Sequence, residues 1–389
     1  MISVSRLLCD GVGPGDHLRY GVEGETSPTA FPRPVVVWNC TRLCNLNCVH
    51  CYADAAAQSA EGEMTGEEGK AFIRQLAEFG VPVILFSGGE PLMRPDFLEL
   101  AGFAAAQGIG IVASTNGTLI DHEMATRMRH MGFREVGISL DGIGDTNDRL
   151  RGKRGAFEAA LHGIRNCVSV GQRVSLRLTI TRSNHHQIPE IFALAEEQGI
   201  DRICFYHLAY VGRAKSLKER DLSHQEKRKT VDLICDRTVD LYRRKVPKEV
   251  LLVGNHADGV HLYLRTRERD PVHAERVLSL LRRNGGNNSG IRIGAVDEVG
   301  DVHPGQFWRT VTLGNVRERA FGDIWLDTAN PVLRGLRDRK AVLKGRCARC
   351  RYLDVCNGNS RERAEATFGD IWQEDPACYI TDREIGAVP

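Results

Sequence analysis

Seven of the chain's twelve cysteines fall into two tight groups. Cys44-x3-Cys48-x2-Cys51 puts three thiols on one short loop. Three thiolates can hold three corners of a cubane iron–sulfur cluster and leave the fourth iron open, and an open iron is a reactive position. Zinc is the alternative, and a structural zinc takes four protein ligands. Cys40, four residues upstream, supplies a candidate fourth. The second group, Cys347-x2-Cys350-x5-Cys356-x21-Cys378, offers four ligands, enough to close either a zinc ion or a cube. A closed site of this kind staples a fold or relays electrons. Cys9, Cys167, Cys204 and Cys235 are scattered, and the last three read as small buried apolar residues.

Polar and glycine-rich motifs recur after the first cysteine group. Ser87-Gly88-Gly89-Glu90-Pro91 joins two glycines, which let a backbone approach a ligand, to a carboxylate that can hold an ammonium group. Ser114-Thr115-Asn116-Gly117 and Ser139-Leu140-Asp141-Gly142 follow. Each alone reads as a turn. Hydroxyl, amide and carboxylate groups at successive strand ends would together suit a ribose and an amino-acid moiety, and Arg151 would meet a carboxylate.

The elements around these motifs place them at strand ends. Strands are expected at 34–39, 81–86, 110–114, 135–140, 173–181 and 202–207 from their β-branched runs. Helices are expected between them, at 65–80 (with Thr65 and Glu68 as a capping box), 95–107, 121–131, 155–170 and 188–198. Alternation of this kind gives parallel strands with right-handed crossovers. The expected fold is α/β, a partial (β/α)6 TIM-type barrel with its site in the loops after the strands and a C-terminal iron–sulfur auxiliary domain. Residues 1–33 are read as an N-terminal leader segment draped over a domain, 34–215 as the core barrel, 216–290 as a helical bridging region and 291–389 as the cysteine-rich domain. Within the last two, 222–248 and 262–284 are expected to be helical with solvated basic faces. The run IRIGAV–DEVGD–VHP is expected to form a hairpin. The chain has 389 residues, is 42% hydrophobic and carries a net charge of +2, which suits a globular protein and argues against a nucleic-acid-coating one. No apolar run is long enough to span a membrane, and the N-terminus lacks a signal-peptide core. A cytoplasmic protein is expected.

CNLNCVHCY, SGGEP, STNG and SLDG resemble, in order, the motifs of the radical S-adenosylmethionine (SAM) superfamily over about 34–215. The resemblance implies that Cys44, Cys48 and Cys51 hold a 4Fe–4S cluster. Its free iron would chelate SAM, and reduction would release a 5′-deoxyadenosyl radical that abstracts hydrogen from substrate. It places Gly88, Gly89 and Glu90 at the methionine end of SAM, Ser139 and Asp141 near the ribose, and Ser114, Asn116 and Arg151 among the remaining SAM contacts. His50 stands before the third cysteine, where an aromatic residue is common. The tail resembles the auxiliary-cluster domain of the SPASM/twitch subgroup, which implies a second 4Fe–4S cluster on Cys347, Cys350, Cys356 and Cys378.

Several longer stretches, among them FYHLAYVGRA, VGNHADGVHLY and RAEATFGDIWQEDPACYITDREIG, resemble the NirJ family of haem d1 biosynthesis, and in part the haem-pathway AhbC and AhbD families. The resemblance implies a tetrapyrrole substrate, 12,18-didecarboxysirohaem, with two propionate arms processed, and an electron donor of flavodoxin or ferredoxin type. Cys40, Asn357 and His256 depart from the family pattern. A peptide maturase is the competing reading, though 33 residues before the first strand are too few for a fused leader-binding module. Arg177 and Arg213 are candidate carboxylate anchors. His303 and Trp308, with Phe307, are candidates for an apolar slot, and His207 and Tyr210 are candidate catalytic groups.

Overall fold

The computed structural model describes residues 1–21 and 33–386. One eleven-stranded sheet runs through it. In chain order its strands are β1 (Ile2–Ser3), β2 (Val35–Asn39), β3 (Val83–Ser87), β4 (Gly110–Thr115), β5 (Glu135–Ser139), β6 (Val174–Thr179), β7 (Arg202–Tyr206), β8 (Glu249–Val253), β9 (Ile293–Val296), β10 (Asp301–His303) and β11 (Gly314–Asn315). All six expected strands are present, and each pairs in parallel with the next.

Two more parallel strands extend them. β8 lies beside β7, and β9 lies on the free edge of β2 with Val37 opposite Ala295. β9 and β10 form the expected antiparallel hairpin, and β11 adds to it. The cysteine-rich region therefore begins as a continuation of the barrel sheet. At the opposite edge β1 pairs antiparallel with β8. The first residues thus belong to the sheet: Ile2, Val4 and Leu7 are in the core. Residues 22–32 of the expected leader lie outside the described residues.

Period-two alternation gives the sheet two apolar faces. Val36, Trp38, Ile84, Phe86, Ile111, Ala113, Val136, Ile138, Leu176, Ile203 and Phe205 meet the outer helices in the main core. Trp38 packs edge-on to Phe72 of the helix Gly66–Phe79, with ring centres 5.3 Å apart. That helix starts with the expected reciprocal cap of Thr65 and Glu68. The alternate residues Val35, Val37, Val83, Leu85, Val112, Cys204, Tyr206, Leu251 and Val253 all line a single cavity, as a sheet curved into a partial barrel requires.

One expectation in the second half needs correction. The stretch 262–284 is two helices, Ala257–Arg269 and Pro271–Asn284, because Pro271 ends the first and Asp270 caps the second. The first of these puts Val260, Leu262, Tyr263 and Leu264 in the core and leaves Arg267 and Arg269 exposed, so its basic residues are solvated. Two fully buried arginines dock the tail. Arg363 holds Asp375 and donates to the carbonyls of Leu208 (3.1 Å) and Gly254 (2.7 Å), just beyond β7 and β8. Arg361 gathers the carbonyls of Ile371 (2.9 Å) and Gln373 (2.6 Å).

Candidate active site between the two cysteine groups

Cys44, Cys48 and Cys51 sit on the loop after β2 and pack with Leu46, Ala55 and Ala156 in a small cluster of their own. Cys40 belongs to the main core instead, where its Sγ donates to the carbonyl of Ser87 (3.4 Å) and burial pushes its thiol up to about 12. It is not the fourth member of the group. Among the described residues no three His, Cys, Asp or Glu side chains close on a point suited to one metal ion.

The strand-end motifs grip this loop, each with specific bonds. Gly89 N–H donates to Thr41 O (2.7 Å) and Glu90 N–H to Leu43 O (2.8 Å). A Cβ on Gly88 would lie 2.4 Å from Thr41 O, and one on Gly89 would lie 2.3 Å from Leu43 O. The glycine pair is required for the approach of the cysteine loop, which is a different reason from the ligand approach expected of it. The Glu90 carboxylate accepts from Thr115 Oγ1 (2.7 Å), Asn116 N (2.6 Å) and Leu92 N (3.1 Å). It ties the second strand end to the third and does not line the cavity beside the cysteines. Burial pushes it up to about 7 against those hydrogen bonds, which favour its charge. Asn116 reaches back to Asn45 Oδ1 (2.7 Å) on the cysteine loop.

Asp141 is also turned inward. Its Oδ2 lies 2.6 Å from Arg151 and 2.9 Å from Nε2 of His50, and its Oδ1 accepts from Thr179 N (2.7 Å). His50 thus clamps the cysteine loop to the end of β5. Burial opposes ionisation of Asp141, but Arg151 and His50 prevail and hold it down to about 2. A carboxylate with a depressed folded value stabilises the fold above its unfolded value and loses that contribution as pH falls toward the folded one. Acid unfolding of the metal-free protein should therefore show an Asp141-dependent loss between about pH 4 and pH 2. In Asp141→Asn that limb should flatten, and an identical acid limb in both proteins would refute the assignment.

A cavity of about 140 Å3 opens beside the cysteines. Its wall includes Cys44, Cys48, Cys51, Gly88, Gly89, Ser114, Asn116, Ser139 and Arg151, so these expected residues converge. Nε of Arg151 is buried there without a hydrogen-bond partner. A second cavity of about 330 Å3 fills the concave face of the sheet, within the range of small-molecule sites. The two share Arg177, Tyr206, His207, Ala209, Gln306 and Phe307. The larger one is also lined by Gly286 and Asn287, which pack on the backbone of Cys356. The two cavities together therefore run from the first cysteine group toward the second.

The floor of the larger cavity is cationic. Arg173 and Arg202 bridge Glu135 and Glu249, Arg19 pairs with Glu249 and Asp16, and Arg177 stands 3.7 Å from Glu135. Arg177 lies over Gly137 of β5, and its Nε is buried without a hydrogen-bond partner. Arg213 does not face the larger cavity. Its Nε and Nη1 bind the carbonyls of Cys48 and Ala55 (both 2.7 Å), so it holds the cysteine loop. His303 donates from Nδ1 to Val311 O (2.8 Å) and faces Asp297 (3.3 Å), away from both cavities. Trp308 is fully buried with Nε1 on Glu365 (2.8 Å). Its neighbour Phe307 takes the wall position, edge-on to Tyr52 at 5.0 Å.

His207 lines both cavities, with Nε2 2.9 Å from Asp258, which in turn accepts from Tyr379 (2.7 Å), the residue after Cys378. Tyr210 is turned away, its hydroxyl donating to Asp221 (2.6 Å). Asp258, Tyr379, Tyr206 and Gln306 escaped sequence reading. All four lie in stretches that carry the family resemblance, such as VGNHADGVHLY, FYHLAYVGRA and RAEATFGDIWQEDPACYITDREIG, which is the one signal that could have found them.

Residues 38–195 match the family model described as the radical SAM superfamily. The chain is 52% identical to Fe-coproporphyrin III synthase of Methanosarcina barkeri, with 99% of each chain covered. The chain belongs to the radical SAM superfamily. Pre-heme d1 synthase of Dinoroseobacter shibae is 41% identical over 91% of this chain and 88% of its own. Among solved structures, Streptococcus suis SuiB bound to S-adenosylmethionine superposes with a TM-score of 0.70 at 19% identity, over 89% of this chain and 77% of SuiB. That likeness is one of fold. The radical SAM family implies a 4Fe–4S cluster and SAM, and the three-cysteine wall, with the unpartnered Nε of Arg151 beside it, fits such a pair. No helix of the described residues is long and apolar enough to cross a membrane.

Proposed function

We propose that this radical SAM enzyme removes carboxylate-bearing side chains from an iron tetrapyrrole, and that iron-coproporphyrin III is its product. The observation that carries the reading is the pair of adjoining cavities with a shared wall, one beside the first cysteine group and the larger, cation-floored one extending toward the second. A planar macrocycle with several carboxylate arms needs an apolar slot with guanidinium partners at its edge, and Phe307, Tyr206 and Arg177 supply these at the junction of the two cavities. The names of the relatives support the same chemistry. Identity of 52% over nearly the whole of both chains favours iron-coproporphyrin III over the haem d1 precursor that the sequence motifs suggest. The d1 reading is the second, favoured by the 41% relative. A peptide maturase has in its favour the 30% identity to mycofactocin maturase MftC of Mycobacterium tuberculosis over 88% of this chain, well below the 52% of the iron-coproporphyrin relative.

In this reading Cys44, Cys48 and Cys51 hold the SAM-binding cluster, and Cys347, Cys350, Cys356 and Cys378 hold a second one. Cys347, Cys350 and Cys378 all lie near Cys356, and four such thiols are enough to close a cube. When bound, the reduced first cluster supplies a 5′-deoxyadenosyl radical. The chain's own residues orient the partners. Gly88, Gly89, Ser114, Asn116, Ser139 and Arg151 line the SAM side, Glu90 and Asp141 brace it from behind, and Arg177 receives a substrate carboxylate. The second group lies where it would exchange an electron with the substrate, and a flavodoxin or ferredoxin would reduce the first.

The test is anaerobic turnover with 12,18-didecarboxysirohaem, following product mass. Loss of two acetate arms supports iron-coproporphyrin III, and loss of two propionate arms returns the assignment to the haem d1 precursor. An unchanged tetrapyrrole alongside competent SAM cleavage would refute both. Arg177→Ala should weaken tetrapyrrole binding about 10- to 100-fold, the loss of one charge-assisted contact, and leave uncoupled SAM cleavage intact. Equal loss of both would show that Arg177 serves the fold.

A further inference from the structure

His256 is a buried polar side chain of the larger cavity that the proposed function does not use. It follows β8, is 7% exposed, and its backbone N–H is pinned by Asn359 Oδ1 (2.6 Å). Asn359 in turn donates to Asn255 Oδ1 (2.6 Å), so tail and barrel together fix the position of the residue. The imidazole is not fixed by any bond of its own. Among the described residues neither ring nitrogen has a hydrogen-bond partner, and Nδ1 is fully enclosed. Nε2 is therefore the nitrogen left to reach the cavity that His256 lines.

The enclosed Nδ1 carries the ring proton of the neutral form, which leaves the lone pair on Nε2, toward the cavity. Burial first, then the charges of the chain's amino terminus, Arg339, Arg363 and His207, push this imidazole well below its ordinary value and favour that neutral form. Of these neighbours Arg363 is already held by Asp375 and the carbonyls of Leu208 and Gly254, and His207 by Asp258. An unprotonated imidazole with a free lone pair on a cavity wall suits a soft or borderline metal centre, for which it is the commonest protein ligand.

We propose that His256 Nε2 is the axial ligand of the substrate's tetrapyrrole iron. The inference rests on the iron-tetrapyrrole function proposed for the same cavity. The step is a ligand exchange: one Fe–N bond forms, any water on that face of the iron leaves, and no electron is transferred. His207 lines the same cavity but has Nε2 on Asp258, and His17 lines it from the N-terminal helix Asp16–Tyr20. Ligation at His256 would fix the macrocycle at its centre and leave its rim to meet Arg177 and the shared wall beside the first cysteine group. It would also hold the iron beside the segment packed on Cys356.

The probe is iron-coproporphyrin III, titrated anaerobically into the full-length, cluster-loaded protein and followed by absorption and EPR. Wild-type protein should give a nitrogen-ligated iron signature. His256→Ala should lose it, weaken iron-coproporphyrin binding about tenfold or more, and regain the signature on addition of imidazole. Metal-free coproporphyrin III should bind both proteins alike, and His207→Gln should keep the signature. Unchanged iron and sulfide content in His256→Ala shows that the variant has folded, and His256→Cys, which replaces nitrogen by sulfur, should give a thiolate spectrum and so report ligation without relying on a loss. An identical iron spectrum in wild type and His256→Ala, or loss of the signature in His207→Gln instead, overturns the assignment. Failure of both porphyrins to bind wild type overturns the tetrapyrrole reading itself, and the ligation with it.

Discussion

Replacing Cys44, Cys48 or Cys51 with alanine should reduce formation of 5′-deoxyadenosine from SAM to background. The three thiols form one wall of the cavity beside the strand ends, and a cube with a corner already free for SAM does not survive loss of another ligand. The surrounding bonds make the loss selective. The loop is held by backbone bonds from Gly89 and Glu90, by the Arg213 clasp on Cys48 O and Ala55 O, and by the His50–Asp141–Arg151 cluster, none of which uses a cysteine side chain as its sole anchor. The variants should therefore fold and keep the second group's metal, roughly half the total iron if both sites carry cubes. Iron analysis and chromatographic assay of 5′-deoxyadenosine check both halves. Wild-type rates in the triple variant would remove the first cysteine group from the chemistry.

Asp375→Ala should have the largest effect on stability, a loss of about 3–5 kcal/mol, the usual consequence of stripping one partner from a buried ion pair. Arg363 and Asp375 are both within 1% of complete burial at their side chains. Burial works against charge on Asp375, and the Arg363 guanidinium overcomes it and holds the carboxyl below its ordinary range. The same carboxylate accepts from Ser360 N (3.0 Å) and Ala377 N (2.9 Å), the latter next to Cys378. Its loss leaves a guanidinium stranded between the tail and the ends of β7 and β8. Thermal unfolding should shift down, the second group should lose metal, and uncoupled SAM cleavage should outlast tetrapyrrole binding. A variant with unchanged melting and full metal content would show that Arg363 does not dock the tail.

The sequence made the barrel legible because local rules governed it. Hydrophobic runs bounded by glycine, a capping box at Thr65, and polar motifs at regular intervals after strands all report on nearby residues. β9 was legible as a hairpin strand, but its pairing with β2 was not, since β2 lies far earlier in the chain and edge pairing leaves no local mark. The short β8 hid between helices rich in arginine and lysine. Within the site, residue types were legible but directions were not. Glu90 and Asp141 have the chemistry to hold a ligand, yet both turn inward to bind backbone amides and basic side chains. Phe307 and Trp308 are adjacent and aromatic, and only the course of the loop decides which faces the cavity. Arg213 follows a strand as an anchor should, but the carbonyls of the cysteine loop reach it first. Asn357, one of the departures from the family pattern, takes a left-handed backbone with φ of 52°, the conformation that asparagine tolerates best after glycine.

The central claim, that a radical formed at the first cysteine group attacks a tetrapyrrole arm in the adjoining cavity, is tested most directly by isotope transfer. 12,18-Didecarboxysirohaem carrying deuterium on its acetate methylenes should pass deuterium to 5′-deoxyadenosine during a single anaerobic turnover, and the same label on the propionate arms should not. Formation of unlabelled 5′-deoxyadenosine from every labelled tetrapyrrole would contradict the account.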